Sequence, residues 1–125
     1  GLLGSKSFTE QPPFALQKIK FLTNIDIMGD ATNGVTVVNA TLHPTQFDRL
    51  KALNERGEYL PEIKSRGKAA NSDHYPFSEK GVPTFFIYSN GGKGFYHDIY
   101  DRAEEIKLSR IAGAAQLFID FLEGF

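Results

Sequence analysis

The chain of 125 residues contains no cysteine, which excludes disulfide bonds, thiolate metal sites and cysteine nucleophiles. Its apolar runs are far shorter than the ~20 residues that cross a bilayer, and no charged segment leads into an apolar one as in a signal peptide. The 14 basic and 15 acidic residues give a formal net charge of −1, without the basic surface typical of nucleic-acid-binding proteins. We therefore expect no membrane span and no nucleic-acid partner.

Enough apolar residues are present to form a core. They make up 41% of the chain, and aromatic residues make up 13%, a composition typical of folded proteins. The length suits one domain, so we expect residues 1–125 to form a single domain. The first residue is Gly1 rather than methionine, and we expect either a processed start or a portion of a longer protein.

Segments with strand-like and helix-like patterns alternate along the chain. They predict strands over 18–24, 35–40 and 83–88, and helices over 4–10, 46–56, 71–81 and 107–123, with a short strand within 58–64. The apolar face predicted for the last helix consists of Leu108, Ile111, Ala112, Ala115, Phe118, Ile119 and Leu122. This alternation predicts an α/β fold in three layers, α/β/α, with a largely parallel central sheet.

Ligands of such sheets bind beyond the carboxyl ends of the strands, so residues 26–30 and 89–101 are the first to consider. Asp26 lies between two isoleucines, where a carboxylate is unfavourable to bury unless it is paired or bound to a metal. It could equally be an exposed or hydrogen-bonded residue at a strand end. His97, with Asp101 four residues later, is either a metal ligand oriented by an acid or an ordinary loop histidine.

Other polar positions carry weaker signals. Ser72, Asp73 and His74 contain the residue types of a catalytic triad, but a triad is a spatial arrangement and adjacent residues do not form one; this segment is typical of a helix start. His43, before a proline, is interpreted as a loop residue. The glycines between 91 and 94 lack the spacing of a dinucleotide-binding loop. Local spacing therefore permits a metal site without proving one.

Four stretches, taken in order, resemble a known family. They are Gly1–Ser5; Asn24–Gly29; Ser72–His74 with Phe77 and the Gly81–Pro83 turn; and Tyr96–His97 with Asp101. Their order and separation are similar to those of the zinc-dependent exopeptidases that include aminopeptidase Y, to which the glutaminyl cyclases are related. The resemblance extends along essentially the whole chain and corresponds to the C-terminal half of such an enzyme. It implies part of the layered zinc-peptidase fold.

The resemblance also implies roles for individual residues. Asp26 and His97 match two metal ligands of the family, which in members with two zinc ions serve different metals. Asp73, His74 and Asp101 match positions close to the metal or on the substrate side. The Thr-Pro pair that usually follows the histidine is replaced by Asp98–Ile99, which could alter contacts with a substrate at the rim of the site.

The family's general base lies outside this sequence. In the family a Glu-Glu pair, one residue a general base and the other a metal ligand, comes immediately before the stretch matched by Gly1–Ser5. A further histidine and a bridging aspartate lie earlier still. A catalytic zinc needs about three protein ligands, so we expect this chain alone to be inactive and to hold no zinc tightly. Missing strands would leave apolar surface bare, and we expect self-association there.

Three hypotheses about the function follow from the resemblance. The first is part of a metallo-aminopeptidase, which removes N-terminal residues from a peptide substrate with one or two zinc ions and a metal-activated water. The second is a glutaminyl-cyclase-like acyltransferase. The third is a non-catalytic interaction domain of the same fold, against which the presence of both Asp26 and His97 argues. An unrelated α/β binding domain is the remaining alternative.

Overall fold

The computed structural model describes all residues from Gly1 to Phe125. In chain order the elements are α1 (Leu3–Glu10), β1 (Leu22–Ile25), β2 (Val35–Val38), α2 (Pro44–Gly57), β3 (Ile63–Ser65), α3 (His74–Glu79), β4 (Thr84–Ser89) and α4 (Ile111–Leu122). Short 3₁₀ turns cover Leu16–Lys18 and Ala103–Glu105. None of the helices has both the length and the apolar content needed to cross a membrane.

The four strands form one open sheet in the order β1-β4-β2-β3. The β1–β4 and β2–β3 pairs are parallel, and the central β2–β4 pair is antiparallel. Two of the three strand pairings are thus parallel, as predicted for a largely parallel sheet, and the α/β fold class is confirmed. The antiparallel pair has no signature in the sequence, because both of its strands are almost fully buried and apolar whichever way they run.

Helices α2 and α4 cover one face of the sheet and bury most of the core. Val35, Val37, Phe85 and Ile87 point to this face, as their alternation along β2 and β4 requires. They pack against a set of helical residues that includes Leu50, Ala114, Leu117, Phe118 and Phe121. This layer fixes the position of α4 over β1 and β4.

The opposite face is covered by α1 and α3 in a thinner layer. The ring of His74, the first residue of α3, stacks on Phe86 of β4 with 5.3 Å between ring centroids. His74 is fully buried, and neither ring nitrogen has a hydrogen-bond partner of acceptable geometry. Burial lowers the pKa of His74 below its usual 6.5, although the nearby backbone of Ala69 and Ser72 and the charge of Asp73 offset part of the effect.

The last helix differs from the prediction in its start and in its buried face. It begins at Ile111 rather than near residue 107, because Leu108 and Arg110 have positive φ angles of 52° and 59° that a right-handed helix cannot contain. The buried residues of α4 are Ala114, Leu117, Phe118 and Phe121. Of the predicted apolar face, Phe118 is buried and Ile111 is half-buried, whereas Ala112, Ala115, Ile119 and Leu122 are exposed. The helix is apolar on two sides, and periodicity alone does not decide which side is covered.

Two neighbouring residues of α4 test this assignment of faces. Phe121 is fully buried against Phe21 and Phe85, whereas Leu122 is 44% exposed. We expect Phe121→Ala to lower the free energy of unfolding by about 3–5 kcal/mol, because it removes a buried ring and leaves a cavity. The matched change Leu122→Ala should cost less than about 1 kcal/mol. Equal losses in urea unfolding of the two variants would contradict the orientation of the helix.

The burial of His74 predicts a dependence of stability on pH. A folded-state pKa below the usual 6.5 means that the unfolded chain takes up the proton first, so the stabilising contribution is complete above that value and is lost as the pH falls below it. Burial also lowers the pKa of His43. We expect the free energy of unfolding to fall between about pH 7.5 and 5.5, by at most about 1.4 kcal/mol per pH unit for each histidine.

The variant His74→Leu isolates the contribution of one histidine to this slope. Urea unfolding across the same pH range should give a smaller loss for His74→Leu than for the unchanged chain, and a still smaller loss for the double variant with His43→Leu. Parallel slopes for all three proteins would rule out His74 as a source of the pH dependence.

Candidate functional site

The parallel pairing of β1 with β4 brings the carboxyl ends of both strands to one edge of the sheet. Asp26 follows β1, and the segment with His97 follows β4. Between the two segments lies a cleft of about 390 Å³. Its lining consists of residues 27–30 on one side and Ser89 and 91–96 on the other, with Asp101, Glu105, Ile106 and Leu108. Asp26 and His97 each adjoin a lining residue, which is the arrangement expected of strand ends in an α/β sheet.

The carboxylate of Asp26 is held by hydrogen bonds on both oxygens. Oδ1 accepts the backbone N–H of Ile27 at 2.9 Å, and Oδ2 accepts the hydroxyl of Ser72 at 3.0 Å. The Ser72 oxygen in turn accepts the side-chain amide of Asn24 at 2.7 Å. Asp26 is exposed, and each oxygen retains a lone pair. This carboxylate is oriented but still able to accept a further partner.

Sequence reasoning did not assign roles to Ser72 and Asn24. The sequence pattern favours a helix start at Ser72, yet its buried hydroxyl donates to Asp26 rather than capping the first turn of α3. One signal is present in the sequence: Asp26 comes directly after the strand, two residues beyond Asn24, and side chains two residues apart in extended backbone point to the same face. Ser72, which forms hydrogen bonds with both side chains, is distant in sequence, and only the fold shows that it lies beside them.

His97 lies in the loop after β4 and is exposed. Its backbone has a positive φ of 59°, and its ring stacks on the ring of Tyr96 with 3.9 Å between centroids. Asp101 lines the cleft, and its N–H donates to the carbonyl of Asp98 at 3.1 Å. The ligand role of His97 and the supporting role of Asp101 stay predictions.

The other two predicted site residues occupy the start of α3. Asp73 is exposed and accepts the hydroxyl of Ser5 at 2.6 Å, which joins α1 to α3. His74 is buried on Phe86, on the face of the sheet that also carries Asn24. Neither residue lines the cleft. Both residues follow Ser72, whose hydroxyl donates to Asp26. Their expected positions close to the metal or on the substrate side stay predictions.

A second carboxylate, Asp30, ties the two walls of the cleft together. Its Oδ1 accepts the backbone N–H of Thr32 at 2.8 Å and the Thr32 hydroxyl at 2.5 Å. These bonds, with a further one from the backbone of Gly92, lower the pKa of Asp30 against the effect of burial. Gly91 packs so closely that a Cβ there would lie 2.6 Å from the Asp30 carbonyl oxygen. Glycine is therefore required at position 91.

The chain's own donors do not make a complete zinc site. No three histidine, aspartate or glutamate side chains come together in a group that could hold a metal ion. The predicted ligands Asp26 and His97 supply one carboxylate and one imidazole, whereas a catalytic zinc takes about three protein ligands and a water. The residues present thus provide part of a donor set of the right chemical type. A complete zinc site would need further ligands in addition to Asp26 and His97.

Comparison with known proteins gives similarity over almost the whole chain. The sequence profile of peptidase family M28 matches residues 1–122. No curated protein matches significantly. Among solved structures, an Acidobacteriales bacterium glutaminyl cyclase is 22% identical with a TM-score of 0.79, over 98% of this chain and 45% of its own. BSAP, a zinc aminopeptidase from Bacillus subtilis, is 19% identical with a TM-score of 0.78, over 98% and 32%.

The LapA aminopeptidase of Legionella pneumophila is also similar, with 20% identity and a TM-score of 0.71 over 97% of this chain and 34% of its own. At these identities the structures establish a shared fold. The chain spans less than half the length of each of these three proteins. The family assignment rests on the profile match, which covers nearly every residue: this chain belongs to peptidase family M28.

Proposed function

We propose that the chain is part of the catalytic unit of a zinc aminopeptidase, to which it contributes Asp26 and His97 as metal ligands. The observation that carries the proposal is the hydrogen-bonded carboxylate of Asp26, held at a strand end beside a cleft. Family membership and the aminopeptidase neighbours support the same reaction class. Zinc in such a unit polarises the substrate carbonyl and activates water.

The roles of this chain's residues follow from their positions. Asn24 and Ser72 hold the Asp26 carboxylate in one orientation. Asp30 fixes the glycine-rich wall of the cleft, and the apolar side chains of Ile27 and Phe95 offer a surface for a substrate side chain. The reaction also needs a carboxylate that accepts a proton from water. The family pattern identifies no residue of the cleft for this role. The chain by itself is therefore inactive in this proposal.

The glutaminyl-cyclase reaction is the second candidate, since a glutaminyl cyclase shares the fold as closely as the aminopeptidases do. The two candidates differ in product. An aminopeptidase releases a free N-terminal amino acid, whereas a cyclase closes an N-terminal glutamine into a ring with loss of ammonia. Mass spectrometry of one peptide with N-terminal leucine and one with N-terminal glutamine separates them.

The incomplete donor set predicts weak metal binding by the purified chain. Calorimetric titration with zinc at neutral pH should reveal no binding tighter than about 1 mM, roughly −4 kcal/mol. Neither peptide should be turned over in the presence of zinc. Stoichiometric micromolar binding would overturn the proposal that the zinc site of this chain is incomplete. The additional ligands would then have to come from residues such as His43 or His74, or from a second chain.

The proposed roles also predict a graded series of activities in a protein that contains this chain together with the missing ligands. Asp26→Asn should lower kcat/KM at least about 100-fold, since even the hydrogen-bonding partners of metal ligands typically contribute 10- to 100-fold. Ser72→Ala should fall in that 10- to 100-fold range, because it frees the carboxylate without removing it.

The matched control for this series is Asp48→Asn, which makes the same chemical change at an exposed residue of α2. Its activity should equal that of the unchanged protein. Full activity of Asp26→Asn would refute the ligand assignment, and a loss for Ser72→Ala as large as that for Asp26→Asn would mean that Ser72 does more than orient the carboxylate.

A further inference from the structure

The connection between β4 and α4 contains a self-contained loop. Residues 94–104, which we call the His97 loop, form hydrogen bonds only with one another and with the two residues that follow them. The Asp98 N–H donates to the carbonyl of Phe95 at 2.8 Å, and the Asp101 N–H donates to the carbonyl of Asp98 at 3.1 Å. These hydrogen bonds fix the shape of the loop but not its position on the rest of the chain.

The two ends of the His97 loop are attached to the same segment of the protein. Before the loop, the Asn90 N–H donates to the carbonyl of Gly34 at 2.8 Å. After it, the carbonyl of Ser109 accepts the N–H of Ala31 at 3.0 Å. Ala31 and Gly34 both lie between β1 and β2, so the chain leaves this segment and returns to it. A compact surface loop whose ends lie close together is an Ω-loop, a type that is frequently functional.

An ion pair joins the two ends of this loop. The ammonium of Lys93, directly before the loop, donates to the carboxylate of Glu105, directly after it. Lys93 also lies over the ring of Phe95, 5.9 Å from its centre. No other hydrogen bond or ion pair connects the two ends. The Lys93–Glu105 pair thus closes the Ω-loop at its base.

The backbone beside Lys93 is able to rotate. Gly92 and Gly94, on either side of it, have positive φ angles of 70° and 74°, and glycine adopts this conformation without steric cost. Hinges are formed by a few loop residues of this kind, which absorb changes of φ and ψ. Rotation at these glycines would separate Lys93 from Glu105, so the ion pair opposes the opening of the loop.

The two predicted metal ligands are held in different ways. The carboxylate of Asp26 is oriented by its own hydrogen bonds to the Ile27 N–H and the Ser72 hydroxyl. The ring of His97 stacks on Tyr96, which belongs to the same loop. The position of His97 relative to Asp26 therefore follows the position of the whole loop.

We propose that Lys93 and Glu105 are positioning residues, whose ion pair keeps the His97 loop closed and so holds His97 at the cleft. This inference rests on the proposed function, in which His97 is a metal ligand. Their side chains are 58% and 39% exposed, and an exposed ion pair changes an equilibrium by only about two- to fivefold. That is too little to affect the fold, but it is enough to change how often a loop opens.

Trypsin cleavage after Arg102 measures this opening, because Arg102 is the only lysine or arginine within the His97 loop. The protein to use contains this chain together with the missing ligands, in its metal-free form. Lys93→Gln should raise the cleavage rate about two- to fivefold, since the rate follows the population of the open form. Lys93→Arg, which keeps the charge, should cleave at the unchanged rate. The difference between Lys93→Gln and the unchanged protein should shrink at high salt.

The matched control is Lys107→Gln, which makes the same chemical change at an exposed lysine without an ion pair. It should leave cleavage after Arg102 unchanged. Cleavage after Lys51, within α2, should stay the same in all variants and shows that none of them is globally unfolded. Equal cleavage after Arg102 in Lys93→Gln and Lys107→Gln would overturn the inference and leave the metal-ligand assignment standing.

The rate of zinc loss to a chelator tests the effect on His97 itself. It should rise about two- to fivefold in Lys93→Gln, as cleavage does, and stay unchanged in Lys93→Arg and Lys107→Gln. Faster cleavage with unchanged zinc loss would overturn the positioning role, because the loop would then open without affecting the ligand. Zinc loss that His97→Ala leaves unchanged would instead refute the proposed function on which the inference rests.

Discussion

The parallel pairing of β1 with β4 is the constraint on which the rest of the structure depends. These strands are distant in sequence, and their register from Leu22–Thr84 to Ile25–Ile87 places the residues that follow both strands at one edge of the sheet. Because both carboxyl ends point the same way, Asp26 and the loop with His97 flank a common cleft. If the register of β1 against β4 shifted by one residue, the side chains of Thr23 and Asn24 would exchange faces of the sheet. The hydrogen bond from Asn24 to Ser72 would then be lost.

The fold class and the location of the candidate site could be predicted from sequence, because they depend on local pattern. The apolar run over 83–88 and the helix around residue 118 are strong local signals, and the rule that sites lie after strands pointed to residues 26–30 and 89–101. Ser72 and the true inner face of α4 could not be predicted. The first depends on a contact between residues 46 positions apart, and the second on which of two apolar sides of one helix is covered.

The two apolar sides of α4 and the partial donor set are related features. A helix with apolar residues on both sides is typical of a position between two packed neighbours, yet within this chain only one side is covered. Likewise the strand end that carries Asp26 has β4 on one side and an open edge on the other. Any strand added to that edge would end beside Asp26 or begin there. The uncovered edge of β1 and the carboxylate that we propose as a metal ligand thus belong to the same strand.

The geometry around Asp26 distinguishes a metal-binding chain from a non-catalytic interaction domain of the same fold. An exposed carboxylate gains little stability from a hydrogen bond to a hydroxyl, because water would serve it nearly as well. The buried Ser72 hydroxyl, however, donates to Asp26 while it accepts from Asn24, so that two further residues hold one orientation of the exposed Asp26 carboxylate. An interaction domain would lose little by replacing all three with apolar residues. Fixing a carboxylate in advance is instead what metal binding requires, since ligands held by their neighbours lose less freedom when the ion arrives.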